Sequence, residues 1–362
     1  MADVEGSAET GGLERLSGVR VAGDWADMRE VPRISLSWAH SGLVATDRGE
    51  LVGFHAGQLV VFGPGGVVVR TIESDLTEGH GLTLVREGDG ELLWLCDPGF
   101  HFARTEDEGD EGLATMFGKG LRQVQRDPRV VKVTLDGRVL MELPIPAEDG
   151  RFPAGPSGTY CPCGTAVNEE RFGGQGDVWV ADGYGSSLVH RFDRNGRHLS
   201  VLSGEEGAGR FSCPHAVYID RRPGKPVELY VADRGNRRVQ VYDLDGRYQR
   251  TFGDDFLNSP SGFAQWGNWL VVAELFGRVA VLDSNDVLVG WIGVDPDCHA
   301  EQGWPARPGW PNAVSDDGFA QAPTLSDAGR FNSPHSVAVD GDGNLYVSEW
   351  VIGGRYSKVT SG

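Results

Sequence analysis

Three histidines share a local setting in which imidazoles can do metal chemistry. His215 and His335 each follow a proline and open an alternating apolar run, PHAVYID and PHSVAVD. His80 opens a related run, HGLTLV. Neutral imidazole is a good donor to Zn2+, and three protein donors with a fourth position open are the ligand set of a catalytic zinc. His80 and His215 are 135 positions apart, and His215 and His335 are 120 apart. Only a fold that returns the chain repeatedly to one place can bring them together. The remaining histidines (His40, His55, His101, His190, His198 and His299) show no such recurrence. His190 and His198 flank the Asn195-Gly196 turn and read as solvated residues of two outer strands.

The elements that must position these residues are visible as a repeat. FSCPHAVYIDRRPGKPVELYVADRGNRRVQVYDLDGRYQRTFG starts at Phe211, and FNSPHSVAVDGDGNLYVSEWVIGGRYSKVT starts at Phe331. Both run from Phe through Pro-His into an alternating strand, a Gly turn, and a second strand of the LYVAD or LYVSE type. Alternation with period two and Asp-Gly turns describe a β-meander. Weaker copies begin at His40, Gly79, Gly164 and Pro260, making six units. Alignment puts Ser41, His80, Thr165, His215, Ser261 and His335 at one equivalent position, with spacings of 39, 85, 50, 46 and 74. A period of about 40–50 residues is that of a four-stranded propeller blade.

The expected architecture is therefore all-β, with residues 1–362 forming a single six-bladed β-propeller. The two long gaps carry insertions at 100–129 and 294–330, and residues 1–17 read as disordered. The last unit has three strands; GVRVAGDW, Gly18–Trp25, is the candidate to supply its fourth and close the ring. Closure would remove the open sheet edges. The first strand of each blade lines the central channel, so the repeat position becomes a ring of six side chains. His80, His215 and His335 fall on alternate blades, roughly 120° apart about the axis in such a ring.

Composition narrows the partners. The 362-residue chain has a net charge of −19 and no block of Lys or Arg, which argues against nucleic acid and anionic membranes. The N-terminus, MADVEGSAETGG, lacks the basic start and apolar run of a signal peptide, and no stretch of about 18 apolar residues occurs. Five cysteines (Cys96, Cys161, Cys163, Cys213 and Cys298) are sparse and odd in number, which fits reduced thiols in the cytoplasm. Cys161-Pro-Cys163 is too tightly spaced for an ordinary disulfide and reads as a pair of small hydrophobes. The expected partner is a small-molecule substrate, and the sequence carries no signature of an oligomeric state.

Three stretches carry a family resemblance: His80–Leu82, VADGYGSSLV around Tyr184, and FSCPHAV…YVADRGNRRVQVYD from Phe211. Together they resemble peptidyl-α-hydroxyglycine α-amidating lyase, a six-bladed propeller of NHL repeats. The resemblance implies zinc on His80, His215 and His335. It implies Tyr184 as the base that takes the substrate hydroxyl proton, with Arg234 beside it. It also implies a structural calcium, with one ligand a backbone carbonyl at Leu82. Without the resemblance, Tyr184 reads as a turn residue and Arg234 as part of a solvated patch with Arg237 and Arg238. Asp182 and Asp233 read as anchors of blade turns.

The chain departs from the family in places. Ala56 stands where a substrate-binding arginine is expected, and Ser336 where an acidic calcium ligand is expected. Ser333 replaces a methionine and Gly185 a cysteine. The expected activity is thus that of a zinc-dependent lyase acting at a zinc-bound hydroxyl of a different small organic substrate. A phenol with a pKa near 10 becomes a usable base only where cations such as Zn2+ and Arg234 favour its anion. The same groups would serve a hydrolase or a dehydratase; a non-enzymatic NHL scaffold is the reading that predicts no metal. The run DCHAEQGWPARPGWPNAV from Asp297 offers Trp304, Trp310 and His299 as a lid.

Overall fold

The structure is a computed structural model describing residues 16, 18–31, 40–104, 113–115, 118–295, 325 and 329–361. Six four-stranded antiparallel sheets follow one another along the chain. They span residues 44–73, 81–142, 164–202, 214–252, 260–292, and 334–361 with 19–22. They are blades one to six of a six-bladed propeller. The strand Val19–Ala22 pairs antiparallel with Arg355–Ser361, with Val19 opposite Ser361 and Ala22 opposite Lys358. The N-terminal segment therefore closes the last blade, as the sequence predicts.

The second strand of each blade reads as an almost unbroken apolar run because neighbouring blades cover both of its faces. Val178–Asp182, Glu228–Asp233 and Leu345–Glu349 are buried along their whole length. Trp179, Leu229, Val231 and Tyr242 fill the space between blades three and four. Val61, Leu93, Leu95 and Val131 do the same between blades one and two.

Each second strand ends at the same face of the disc, and in blades two to six its last residue is an acid. These acids hold the chain that leads into the channel. Asp97 accepts from the amides of Thr77 (2.6 Å) and Gly99 (2.8 Å). Asp182 accepts from Cys161 (2.6 Å) and Ser186 (2.8 Å). Asp233 accepts from Ser212 (2.8 Å), and Glu349 from Asn332 (2.5 Å) and Ser333 (3.2 Å). Glu274 takes the amide of Asn258 in the same way. Blade one has His55 at this place, bonded to the Tyr356 hydroxyl at 2.6 Å. The anchoring expected of Asp182 and Asp233 is thus general.

The insertion after blade two's second strand is not a loop. Phe100–Arg104, Gly118–Gln125 and Leu113–Thr115 form a separate three-stranded sheet with Gly118–Gln125 in the middle. Leu121 packs with Leu275 of blade five and with Trp350 and Ile352 of blade six. The small sheet consequently reaches across the face that carries the acid anchors. Most of 294–330, with His299, Trp304 and Trp310, lies outside the described residues.

Candidate metal centre

A local defect aims the histidines. In blade four Pro214 pairs with Asp233 and Ala216 with Ala232, so His215 is the extra residue of a β-bulge. In blade six Pro334 pairs with Glu349 and Ser336 with Ser348, leaving His335 in the same position. Proline offers no amide to the ladder, and a bulge re-aims the side chain it displaces. His80 reaches the axis without proline, its amide donating to Cys96 O at 2.9 Å. Gly81 follows it because a Cβ there would lie 2.4 Å from Cys163 O.

The three imidazoles form a nearly equilateral set. Ring centroids are 4.8 Å apart for His80–His215, 4.7 Å for His80–His335 and 4.9 Å for His215–His335. Every Nδ1 meets a backbone carbonyl of the next blade: His80 meets Cys163 O (2.7 Å), His215 meets Ser261 O (2.9 Å) and His335 meets Ser41 O (3.2 Å). A carbonyl only accepts, so each Nδ1 carries the proton and each Nε2 presents a lone pair. This orienting bond is the usual outer support of a metal-binding histidine.

A fourth histidine joins them. His40, Nε2 3.3 Å from the Tyr184 hydroxyl, stacks on Trp350 at 4.6 Å and lies 4.4 Å from the His80 ring. One ligand atom from each of His40, His80, His215 and His335 can be chosen with all four within 4.8 Å of one another. His40 Nδ1 lies 2.9 Å from Glu78 Oε1, outside hydrogen-bond alignment. Sequence reasoning missed His40 because no other unit has a histidine at its position. Its place immediately before the ring residue Ser41 is the signal that was available.

Burial holds all four imidazoles well below their ordinary pKa, and the charge of Arg234 adds to the effect. They are neutral at pH 7, the form that binds a metal. Tyr184 sits among them, its hydroxyl 3.1 Å from the Nε2 atoms of both His80 and His215. One phenol proton can satisfy one of these lone pairs. His335 Nε2 is buried without any hydrogen-bond partner. A ring of lone pairs with too few protons is an environment suited to a cation, and the donors suit zinc.

Arg234 lies over the Tyr184 ring, its guanidinium carbon 5.4 Å from the centroid, and Nη2 donates to Cys213 Sγ at 3.2 Å. It is not part of a solvated patch with Arg237 and Arg238. Burial nonetheless pushes the Tyr184 hydroxyl well above its ordinary value, against the pull of Arg234. Arg234 alone does not make a phenolate. Phe100 of the small sheet packs 6.1 Å from the Tyr184 ring, so that sheet and Trp350 wall the centre.

Two sequence expectations change. The ring position of blade three is Cys163, not Thr165: Gly164 makes the same close approach to His215 O that Gly262 makes to His335 O. Thr165 instead bonds Thr83 lower in the channel, at 2.9 Å. His190 is buried, not solvated, with Nδ1 3.2 Å from His198 Nε2, while His198 is exposed. Leu82 lines the channel. Among the described residues, no second group of three or more His, Cys, Asp or Glu side chains gathers there to hold calcium. The Ser336 hydroxyl accepts the amide of Leu43 at 3.2 Å. Ala56 occupies a hairpin turn with Gly57, with φ of 50° and 82°. The four described cysteines, Cys96, Cys161, Cys163 and Cys213, are free thiols.

Fold and site together define a six-bladed β-propeller with an axial four-histidine cluster able to hold a metal. No protein-family model matches the chain. Human NHL repeat-containing protein 3 is 33% identical over 117 residues, covering 30% of this chain and 32% of that protein. A probable peptidyl-alpha-hydroxyglycine alpha-amidating lyase of Caenorhabditis elegans is 24% identical over 275 residues, 75% of this chain and 60% of the relative. The chain thus matches about a third of the NHL relative's length and less than two thirds of the lyase's. Among solved structures, a streptogramin B lyase superposes with a TM-score of 0.54 at 11% identity, covering 96% of this chain and 99% of that one. A catalytically inactive Staphylococcus aureus virginiamycin B lyase, with quinupristin, gives 0.52 at 12% identity, covering 94% and 99%. At these identities the structural likeness establishes the fold.

Proposed function

We propose that the protein is a zinc-dependent lyase whose metal is held by His80, His215 and His335. The observation that carries the reading is the set of Nε2 lone pairs locked toward the axis by three Nδ1–carbonyl bonds, with the Tyr184 hydroxyl in their midst. Zinc there would supply the positive charge that favours the phenolate and a developing oxyanion. Tyr184 takes the proton of a substrate hydroxyl. The O–H electrons become the second bond of a carbonyl, the adjoining C–N bond breaks, and the nitrogen leaves with the proton returned by Tyr184. Arg234, over the ring, stabilises the phenolate between the two transfers. The small sheet of Phe100–Arg104, Leu113–Thr115 and Gly118–Gln125, together with Trp350, excludes water and so favours elimination over hydrolysis. The similarity to an amidating lyase supports this class of reaction. Ala56, in place of the family's arginine, points to a small organic carbinolamide other than a peptidyl hydroxyglycine.

The decisive experiment is elemental analysis of the purified protein beside the His80→Ala/His215→Ala/His335→Ala variant. One equivalent of zinc in the parent and none in the variant is the expected result. A parent without stoichiometric metal would sink the reading and leave an NHL scaffold.

A further inference from the structure

The axial channel has a second end. It encloses about 680 Å³, bounded by the histidines at one end and by Arg171, Phe172 and Arg221 near the other. From His215 to Arg221 is six residues along one strand and its exit, or roughly 20 Å at 3.3 Å per residue.

Two consecutive arginines leave blade four's inner strand, Pro214–Asp220, and the first is aimed by the second. Arg222 is fully buried: Nε donates to Asp220 Oδ1 (2.9 Å), Nη2 to Asp286 Oδ1 (2.5 Å) and Nη1 to Asp283 O (2.6 Å). Neighbouring side chains of an extended chain point to opposite sides. Arg221 is thereby directed across to blade three, where Nη2 donates to Asn168 Oδ1 at 3.1 Å. Its guanidinium carbon lies 4.8 Å from the Phe172 ring, and that of Arg171 lies 4.2 Å from the same ring. The two cations differ in one respect. Arg171 is held by Glu169 through contacts of 2.7 and 3.0 Å. Arg221 is half-buried, and among the described residues no carboxylate is within ion-pair reach of it. Burial and the charge of Arg171 hold its pKa below the ordinary value, with Glu169 opposing. Phe172 remains 52% exposed.

We propose that Arg221 and Phe172 form a carboxylate site at the channel mouth remote from the histidines, taking a small organic acid whose body enters the bore. A guanidinium without a carboxylate partner matches an incoming carboxylate in two parallel hydrogen bonds. The exposed ring offers an apolar face to the carbon skeleton beside that carboxylate. Glu169 already pairs with Arg171, so one guanidinium and one ring remain for a ligand, which suits a monocarboxylate with an apolar body better than phosphate, which has no carbon skeleton to lay on Phe172. The channel volume is in the range of small-molecule pockets. The site requires no metal and stands independently of the lyase reading.

Isothermal titration calorimetry on the full chain tests it, with sodium benzoate, benzamide and inorganic phosphate as probes. Benzoate is expected to bind, benzamide to bind at least tenfold more weakly, and Arg221→Gln to weaken benzoate at least tenfold. Arg221→Lys should retain part of the binding. Benzoate affinity should be the same after metal removal with chelator and in His335→Ala, since the site is far from the histidines. Absence of benzoate binding, equal binding by Arg221→Gln, or phosphate binding as tight as benzoate would overturn the proposal. So would benzoate binding that disappears with the metal, which would assign it to the histidine centre.

Discussion

Blades two, four and six bring histidines to the axis; blades one, three and five bring Ser41, Cys163 and Ser261. None of the second set belongs to the histidine cluster, yet each member's backbone carbonyl receives an Nδ1 from the preceding histidine blade. Half the ring supplies donors and the other half orients them. The side chain matters in the first set. In the second set the main chain matters, so the side chain need only be small. That is why the same ring position reads as a motif in three units and as nothing in the other three.

The comparison can be broken in several places. Replacing a donor should have the largest effect: His215→Ala is expected to reduce bound zinc to less than about a tenth of an equivalent by elemental analysis, because two imidazoles do not complete a site. Tyr184→Phe should leave zinc untouched and lower turnover of a carbinolamide substrate by about 10²–10⁴-fold; unchanged turnover would remove Tyr184 from the chemistry. Asp233→Ala frees the segment that carries His215 and should cost about 2–3 kcal/mol in urea unfolding. The same variant should weaken zinc about tenfold in a chelator competition. His40→Ala should leave one equivalent of zinc bound while weakening it by about tenfold or less; complete loss would make His40 a full donor and the site four-coordinate in protein. Ser261→Ala should do least, about 1 kcal/mol or less with zinc affinity unchanged, since its carbonyl remains. A tenfold loss of zinc there would contradict the division of roles.

What the sequence disclosed follows the same division. Strand alternation and the Pro-His starts are local, so the blades, the closing strand Val19–Ala22 and the histidine triad were legible. Cys163 was misplaced by two positions because blade three enters its strand through Tyr160–Cys163 without Pro-His, and the register is set by a close approach to blade four. Phe100 reaches the centre through packing between segments far apart in sequence, which no local pattern encodes, and His40, though next to the ring residue Ser41, has no counterpart in the other units. His190 looked solvated because its pairing with His198 across a hairpin and its contact with Tyr160 are tertiary. Local sequence alone makes Arg234 one of three surface arginines; the family resemblance put it beside Tyr184, where the structure has it.

The closing strand has a consequence for timing. His335 belongs to a blade whose outermost strand is Val19–Ala22, so the last donor is seated in a sheet made from both ends of the chain. Synthesis delivers His80 and His215 long before that sheet can exist. An ion captured early would be held by two imidazoles and readily lost. Stable loading would have to wait for that strand to pair, which would make a bound metal a record that the circle has been completed. A chain cut after Ala22, and so without the closing strand, would then fail first in its hold on metal, while most of its blades remained folded.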